Sequence, residues 1–474
     1  MPPEIDLFAA ARGSVTAPAG CGKTQLITDM LCLHRDPKPV LVLTHTNAGV
    51  SALRMRLHRA KVPSSAYRLS TIDGFTLRLV SKFPTRSGST PGSLQLTNPN
   101  RDYPDIRNSA RQLVIAGHIN DAFRATYSRL LVDEYQDCNQ SQHGLVAGLA
   151  ALVPTYVLGD PLQAIFDFRG NRLVDWQQDV QALFPPLGEL TTPWRWRLAG
   201  ADELGHWLLA TRARLQAGHP IDLRHAPDAV LWIKLSPAHA AQQRLMAARQ
   251  AAPTPTGNVL VIGSAVDPRG QRHLASHTPG AMAVERADLT DLTDFCRVFD
   301  VKAPDALERL VRFASELMTG IGATPLLNRV QTIRKGRNRT PPTPAEAAAA
   351  DFASAPSIQA ALALINRLKE QSSTRVYRPE LLYCWLSALQ VASGGSVSLP
   401  EAATQIRERN RHGGRPLAKR SVGSTLLLKG LEADVAVILF PEQMTAPHLY
   451  VALTRGARKI VICSTSPVLT PAER

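Results

Sequence analysis

The stretch Ala17-Pro-Ala-Gly-Cys-Gly-Lys23-Thr24 constrains this chain more than any other. It follows a short apolar run, Gly13–Ala17, and precedes a helix-like one, Gln25–Leu33. A glycine-rich turn between a strand and a helix is the setting of a phosphate-binding loop. Gly20 and Gly22 let the backbone curl so that N–H groups face phosphate oxygens. Lys23 supplies a cation, and Thr24 a hydroxyl for Mg²⁺. The N-terminus of the following helix adds partial positive charge. Ala19, Gly20, Cys21, Gly22, Lys23, Thr24 and Gln25 therefore read as the stretch that cradles a nucleotide. Ala17 stands where the usual pattern has its first glycine. The plain alternative is an ordinary glycine turn, which the strand-turn-helix context disfavours.

Such a loop belongs in a parallel α/β sheet, and the chain has the matching runs. Val40–Thr44, Leu130–Val132 and Thr155–Leu158 are short apolar segments that end in polar clusters. Buried parallel strands look like this. Ligands bind at their carboxyl ends, so the clusters point to one shared site. Residues 83–120 are rich in Pro, Ser, Asn and Arg and read as a small insertion. A second α/β block begins near Leu190, with strands at Ala229–Leu235 and Asn258–Ile262. Residues 300–328 and 357–392 read as helical. Arg337–Pro356 between them reads as a flexible surface segment, and the basic stretch 405–420 as a connection. Val435–Phe440 and Lys459–Cys463 are the closing strands.

The loop's partner is an acidic residue at the end of another strand. Leu130-Leu-Val-Asp133-Glu134-Tyr-Gln136-Asp137 fits. Asp133 is placed to hold Mg²⁺ and Glu134 to polarise an attacking water. A solvated acidic turn is the alternative reading, but two matched halves of one nucleotide site argue against it.

With these two motifs the sequence resembles the UvrD/Rep-type helicases of superfamily one. Further motifs stand in that family's order. Val42-Leu-Thr44-His-Thr46-Asn47 and Ser70-Thr71-Ile-Asp-Gly-Phe75 resemble segments that touch single-stranded DNA. Leu158-Gly159-Asp160-Pro-Leu-Gln163-Ala-Ile-Phe166-Asp-Phe168-Arg169-Gly170 resembles the segment that couples phosphate to DNA. Thr192-Pro-Trp194-Arg195 resembles the aromatic–arginine pair opening a second motor domain. Lys429-Gly430-Leu431-Glu432-Ala-Asp434 and Leu449-Tyr450-Val-Ala452-Leu-Thr454-Arg455 resemble the closing motifs.

The resemblance implies an α/β chain with two RecA-like parallel-sheet motor domains. The first spans residues 1–189, with the short insertion at 83–120. The second spans 190–299 and 413–474, interrupted by a helical lobe at 300–412. It also implies roles. Gln136 and Gln163 sense the γ-phosphate. Arg195 and Arg455 act as arginine fingers, Arg455 from the second lobe. Trp194 stacks on adenine, and Glu432 bonds the ribose. Thr46, Asn47, Thr71, Phe75, Phe166 and Phe168 are candidate DNA contacts, the phenylalanines with core packing as their alternative. The cofactors implied are ATP and Mg²⁺.

The pattern is incomplete in places. No glutamine occurs in the twelve residues before Gly13 to read adenine. Ser424 and Leu426 stand where the family often has Thr and His. The insertion and helical lobe are shorter than in full-size members. Two functions therefore stay open. One is an ATP-dependent single-stranded DNA translocase or helicase, with 3′-to-5′ polarity implied by the family. The other is a nucleic-acid-sensing NTPase subunit that regulates a partner nuclease. For the latter the chain resembles the short helicase-like subunits of Gabija-type anti-phage systems.

Charge agrees with a nucleic-acid partner. Lys and Arg number 54 against 39 Asp and Glu, a net charge of +15. Such a surplus favours an anionic surface. Arg329, Arg334, Lys335, Arg337 and Arg339 form its densest run. Six cysteines without a C-x-x-C argue against a disulfide scaffold or zinc module. The thirteen histidines read as scattered, with no metal site. No carboxylate cluster outside the nucleotide site suggests a nuclease. No long apolar run or leader pattern is evident, so a cytoplasmic chain without membrane contact is expected.

Overall fold

The computed structural model describes residues 4–90, 92–96, 98–167, 171–411 and 418–473. They fall into two compact units. The first comprises Met1–Trp232, Pro441–Ile460 and Ser466–Arg474, and the second Ile233–Phe440 and Val461–Thr465. Both are α/β, as the two RecA-like motor domains require.

The first unit is built on a six-stranded parallel sheet. Its strands are β1 (Arg12–Thr16), β2 (Val40–Thr44), β3 (Tyr67–Thr71), β4 (Arg129–Val132), β5 (Thr155–Gly159) and β6 (Pro186–Glu189). Their spatial order is β3-β2-β4-β5-β1-β6. Every neighbouring pair runs parallel. Strands β2 and β5 are buried along their whole length, as apolar runs covered on both faces should be. The apolar patterning is much weaker in β3 and β6, whose burial is partial.

Helices α1 (Lys23–Leu33), α2 (Asn47–Arg59) and α3 (Ile72–Lys82) each start where a strand ends or shortly after. Thr46 and Thr71 cap the last two by accepting from Gly49 N–H and Gly74 N–H, at 3.0 and 2.9 Å. Residues 83–120 are more ordered than their composition suggests. They contain α4 (Pro99–Ile115), which buries Ile106, Ala110, Leu113 and Val114 against α3 and α5 (Gln140–Ala150). Arg107 fixes this packing through a two-pronged bond to Asp73 on α3, at 2.6 and 2.7 Å. The segment is thus part of the unit's core, because four apolar residues of one helix face outweigh the polar remainder.

Packing divides the chain after Trp232. Helix α6 (Asp202–Gln216) accounts for part of this, since Arg212 on it bonds Asp160 at the end of β5. Helix α7 (Ala446–Leu453) also belongs to the first unit, against α6 and the turn Pro161–Gln163.

A second six-stranded sheet contains β7 (Val230–Lys234), β8 (Val259–Ile262), β9 (Ala281–Ala283), β10 (Arg420–Gly423), β11 (Ala433–Ile438) and β12 (Gly456–Ser464). Its order is β9-β10-β8-β11-β12-β7, and β9–β10, β10–β8 and β8–β11 pair in parallel. The helical lobe has its own core, in which Phe295 and Phe313 stack at 4.1 Å and Trp385 meets both edge-on. Arg378, 0% exposed, joins lobe to sheet. It grips Glu285 at 2.6 and 2.8 Å and Asp291 at 2.6 Å.

The segment expected to be flexible, 337–356, holds a helix over Pro344–Ser354. Thr343 and Glu346 form a reciprocal capping box there, and Ala345, Ala349 and Phe352 are buried in the lobe. Alanine-rich composition disguised a helix that its cap makes legible. Helix Leu399–Arg411 runs into the connection read at 405–420, of which 412–417 lie outside the described residues. His273 and His277 form a pair that a scattered reading overlooks. Four residues apart on the helix Pro268–His277, they stack at 4.0 Å. Among the described residues no helix is long and apolar enough to cross a membrane.

Candidate active site

Three neighbouring strand ends, those of β4, β5 and β1, meet at the site. The phosphate loop leaves β1 and enters α1 at Lys23. Gly20 and Gly22 have φ of +71° and +90°, left-handed conformations that glycine adopts without strain. A side chain at Gly20 would collide with the Trp196 ring at 2.6 Å, and one at Gly22 would press on Trp194 at 3.0 Å. The loop is therefore packed under the Trp194–Trp196 segment, and the two glycines are required by space as well as by φ.

Lys23 reaches from the loop to the end of β4. Its Nζ lies 2.9 Å from Asp133 Oδ1 and also pairs with Glu134. The lysine side chain is only 14% exposed. Burial pulls its pKa down, but the two carboxylates outweigh burial and hold it above the ordinary lysine value. Asp133 is raised by the same burial, with Lys23 opposing it. Two carboxylates and one ammonium thus share one pocket at the sheet edge. Asp133 with the Thr24 hydroxyl supplies hard oxygen donors, the chemistry that suits Mg²⁺ alongside phosphate oxygens. The residues fit that ion.

Glu134 has φ +57° and ψ +39°, an unusual conformation for a non-glycine residue. Gln136 holds its carboxylate with an Nε2–H donated at 2.5 Å. The Gln136 Oε1 in turn accepts the N–H of Asp160 at 3.1 Å. Gly159 has to be glycine here, because a Cβ would run into that oxygen. Gln163 donates to Asp160 Oδ2 at 3.1 Å. The ends of β4 and β5 are thus wired together through Gln136, while Gln163 steadies Asp160 within the turn after β5.

Arg195 and Arg455 both lie in the first unit. Arg195 donates its main-chain N–H to Gly20 O at 3.0 Å and its Nη1–H to Thr454 O at 2.6 Å. Arg455 is 3% exposed and donates back to Val451 O at 2.9 Å and Thr454 Oγ1 at 3.1 Å. Helix α7, which leads into Arg455, packs within that unit, against α6 and the turn Pro161–Gln163. Trp194 is 37% exposed, with one edge on Gly22 and the Arg197 guanidinium 5.4 Å from its ring. Cys21 points into the core, and burial, with Asp160 next, pushes its thiol to about 12. Gln25 is exposed and bonded to Asp29 and Arg56. Glu432 belongs to the second unit, exposed in the turn before β11.

The candidate DNA contacts mostly gather at the far end of the same sheet edge. Thr44 and Thr71 are register partners at the ends of β2 and β3. Thr46, Asn47 and Thr71 follow there as helix-start residues. His45 lies against the half-buried Phe166 ring at 5.7 Å. Phe75 does not join them. It is 6% exposed and packs edge-on against Phe123 in the core. Helix α3 turns its apolar face inward, so the packing reading holds for Phe75. Phe168 lies outside the described residues.

Residues 93–179 match the model of the UvrD/REP helicase N-terminal domain. This stretch carries Asp133, Glu134, Gln136 and Gln163. That stretch is UvrD-like. The chain is similar to an ATP-dependent helicase/nuclease subunit of Lacticaseibacillus casei (strain BL23), with 32% identity over 77 residues. The same helicase/nuclease subunit of Lacticaseibacillus paracasei (strain ATCC 334) matches equally, at 32% over 77 residues. Each match covers 15% of this chain and 6% of the relative, so the chain spans a small part of the relatives' length. In fold it is similar to the crystal structure of Pif1 helicase from Candida albicans, at TM-score 0.42 and 9% identity. That superposition covers 99% of this chain and 94% of the other.

Two site residues of the chain carried no readable role in sequence. Arg212 binds Asp160 Oδ1 through Nε and Nη2 at 3.2 and 3.0 Å, and Glu189 at 2.7 Å. Burial pulls its pKa down, but Asp160 more than compensates. Tyr450 Oη accepts the N–H of Ala19 at 3.2 Å. Both contacts join residues far apart in the chain, which no local pattern signals. The Ala19 amide is engaged by tyrosine in this arrangement.

Proposed function

We propose that the chain is an ATP-dependent translocase or helicase acting on single-stranded or tailed DNA, 3′ to 5′. The observation that carries this is the Lys23–Asp133–Glu134 cluster at the edge that also presents Thr46, Asn47 and Phe166. Phosphoryl transfer needs charge placed around the γ-phosphate more than covalent chemistry. Lys23 and the first-turn amides of α1 hold the phosphates. Asp133 and Thr24 would hold Mg²⁺, which when bound would supply positive charge to offset the negative charge of the phosphates. Glu134 orients the attacking water, with Gln136 fixing its carboxylate. Gln163 and Gln136 report the γ-phosphate to the strand ends that lead toward the DNA contacts. Arg195 and Arg455 stabilise charge developing on the transferred group, and Trp194 stacks on adenine.

The test is ATP turnover with and without single-stranded DNA, followed by unwinding of a tailed duplex. Turnover that DNA does not stimulate would sink this reading. The helicase/nuclease name of the relatives supports one part of a second reading, a nuclease partner; in that reading the chain is an NTPase subunit that controls the nuclease in anti-phage defence, the last element resting on the sequence resemblance alone. DNA-stimulated turnover without unwinding, and co-purification with a nuclease encoded beside the gene, would support it.

A further inference from the structure

The outer side of the phosphate loop is clasped by one short segment, Tyr450–Gly456. Tyr450 accepts from Ala19 N–H, and Thr454 O takes the guanidinium of Arg195, the main-chain N–H of which binds Gly20 O. Trp196, packed on Gly20, donates its Nε1–H to Gly456 O at 2.9 Å. Of these contacts, Tyr450 makes the direct one to a loop amide. It is 1% exposed, on the helix that leads into Arg455.

A loop with two glycines is conformationally loose on its own, and a ligand that needs one shape pays for ordering it. A fixed acceptor on one amide removes part of that cost before the ligand arrives. Tyr450 is suited to this because it stays a neutral hydroxyl: burial, with Asp160 next, holds its pKa well above the ordinary value. The ring is buried on α7, a helix most of whose residues are buried as well.

We propose that Tyr450 is a positioning residue that preorganises the phosphate loop, making its grip on polyphosphate depend on α7. This rests on the reading that the loop binds nucleotide. It adds a determinant of affinity that never touches the nucleotide.

The experiment compares Tyr450→Phe with Tyr156→Phe in the full chain. Tyr156 is also buried in the first unit and donates its hydroxyl to Ala10 O at 2.7 Å, on another partner. Each variant loses one oxygen and one bond to main chain. The readouts are thermal midpoint, titration with a fluorescent ATP analogue, and hydrogen exchange of the loop amides. Both variants should lose a similar amount of stability. Only Tyr450→Phe should weaken the analogue, by roughly tenfold, the scale of one buried hydrogen bond. Only it should speed exchange across residues 17–22. Equal affinity in the two variants, with wild-type binding intact, would leave Tyr450 a merely structural residue and overturn the proposal alone. A wild-type chain that fails to bind the analogue would overturn the nucleotide reading and the proposal with it.

Discussion

Replacing Arg212 by Met tests whether the wiring between α6 and β5 stabilises the first unit. The Arg212 side chain is 8% exposed and that of Asp160 1%. Arg212→Met keeps most of the volume but strands the Asp160 carboxylate. Removing one partner of a buried pair typically costs about 3–5 kcal/mol. Glu189, its other partner, is half-exposed and will be solvated, so its loss adds little. At about 2–4 °C per kcal/mol for a unit of this size class, the midpoint should fall by roughly 6–20 °C. The control is the double variant Asp160→Asn/Arg212→Met. Asparagine leaves no charge to strand, and its oxygen can still accept the Leu162 N–H that Asp160 now accepts at 3.2 Å. The double variant should recover at least half of the loss. Urea unfolding followed by tryptophan fluorescence and circular dichroism measures both. A single-variant cost below about 1 kcal/mol, or a double variant no better than the single, would refute the reasoning.

Three further outcomes follow. Lys23→Ala should abolish ATP turnover and, by stranding the buried Asp133 carboxylate, lower the thermal midpoint without unfolding the chain, and Glu134→Gln should bind ATP yet turn it over very slowly; wild-type turnover in either would remove that side chain from the chemistry. Phe75→Ala should cost about 3–5 kcal/mol of stability as a core truncation, whereas Phe166→Ala should leave the fold intact and weaken single-stranded DNA by about 1–3 kcal/mol; denaturation and binding isotherms should separate the pair. With its thiol near 12, Cys21 is almost wholly protonated at pH 8 and buried, so iodoacetamide should spare it and label exposed Cys32 in the native chain, becoming reactive only as pH rises toward that value or the unit unfolds; peptide mapping reads this directly.

Much of the first unit was legible because its central strands are apolar runs that end in chemistry. β1, β2, β4 and β5 stop at the phosphate loop, Thr44, Asp133 and Asp160. β3 and β6 escaped notice because partial burial removes the apolar signal. The lysine–carboxylate cluster was readable as two motifs, since each half lies within a few residues. Arg212 and Tyr450 were not, because their partners lie 52 and 431 residues away. Phe75 shows the opposite failure. Its motif is local and clear, yet only the α3 packing shows which way the ring points. The helix at Pro344–Ser354 was hidden by composition, although Thr343-Pro-Ala-Glu346 spells its cap.

The left-handed backbone of Glu134 sets two selective pressures against each other. A glutamate held at φ +57° costs about 1 kcal/mol or more that glycine would not. Laboratory evolution of this chain for heat resistance alone should drift toward glycine at that position, and the drift would discard the carboxylate beside Lys23. Variants chosen for shelf life would look improved by every measure except turnover. The strained residue is therefore a marker in any engineered library: its retention tells that activity, and not mere folding, was selected.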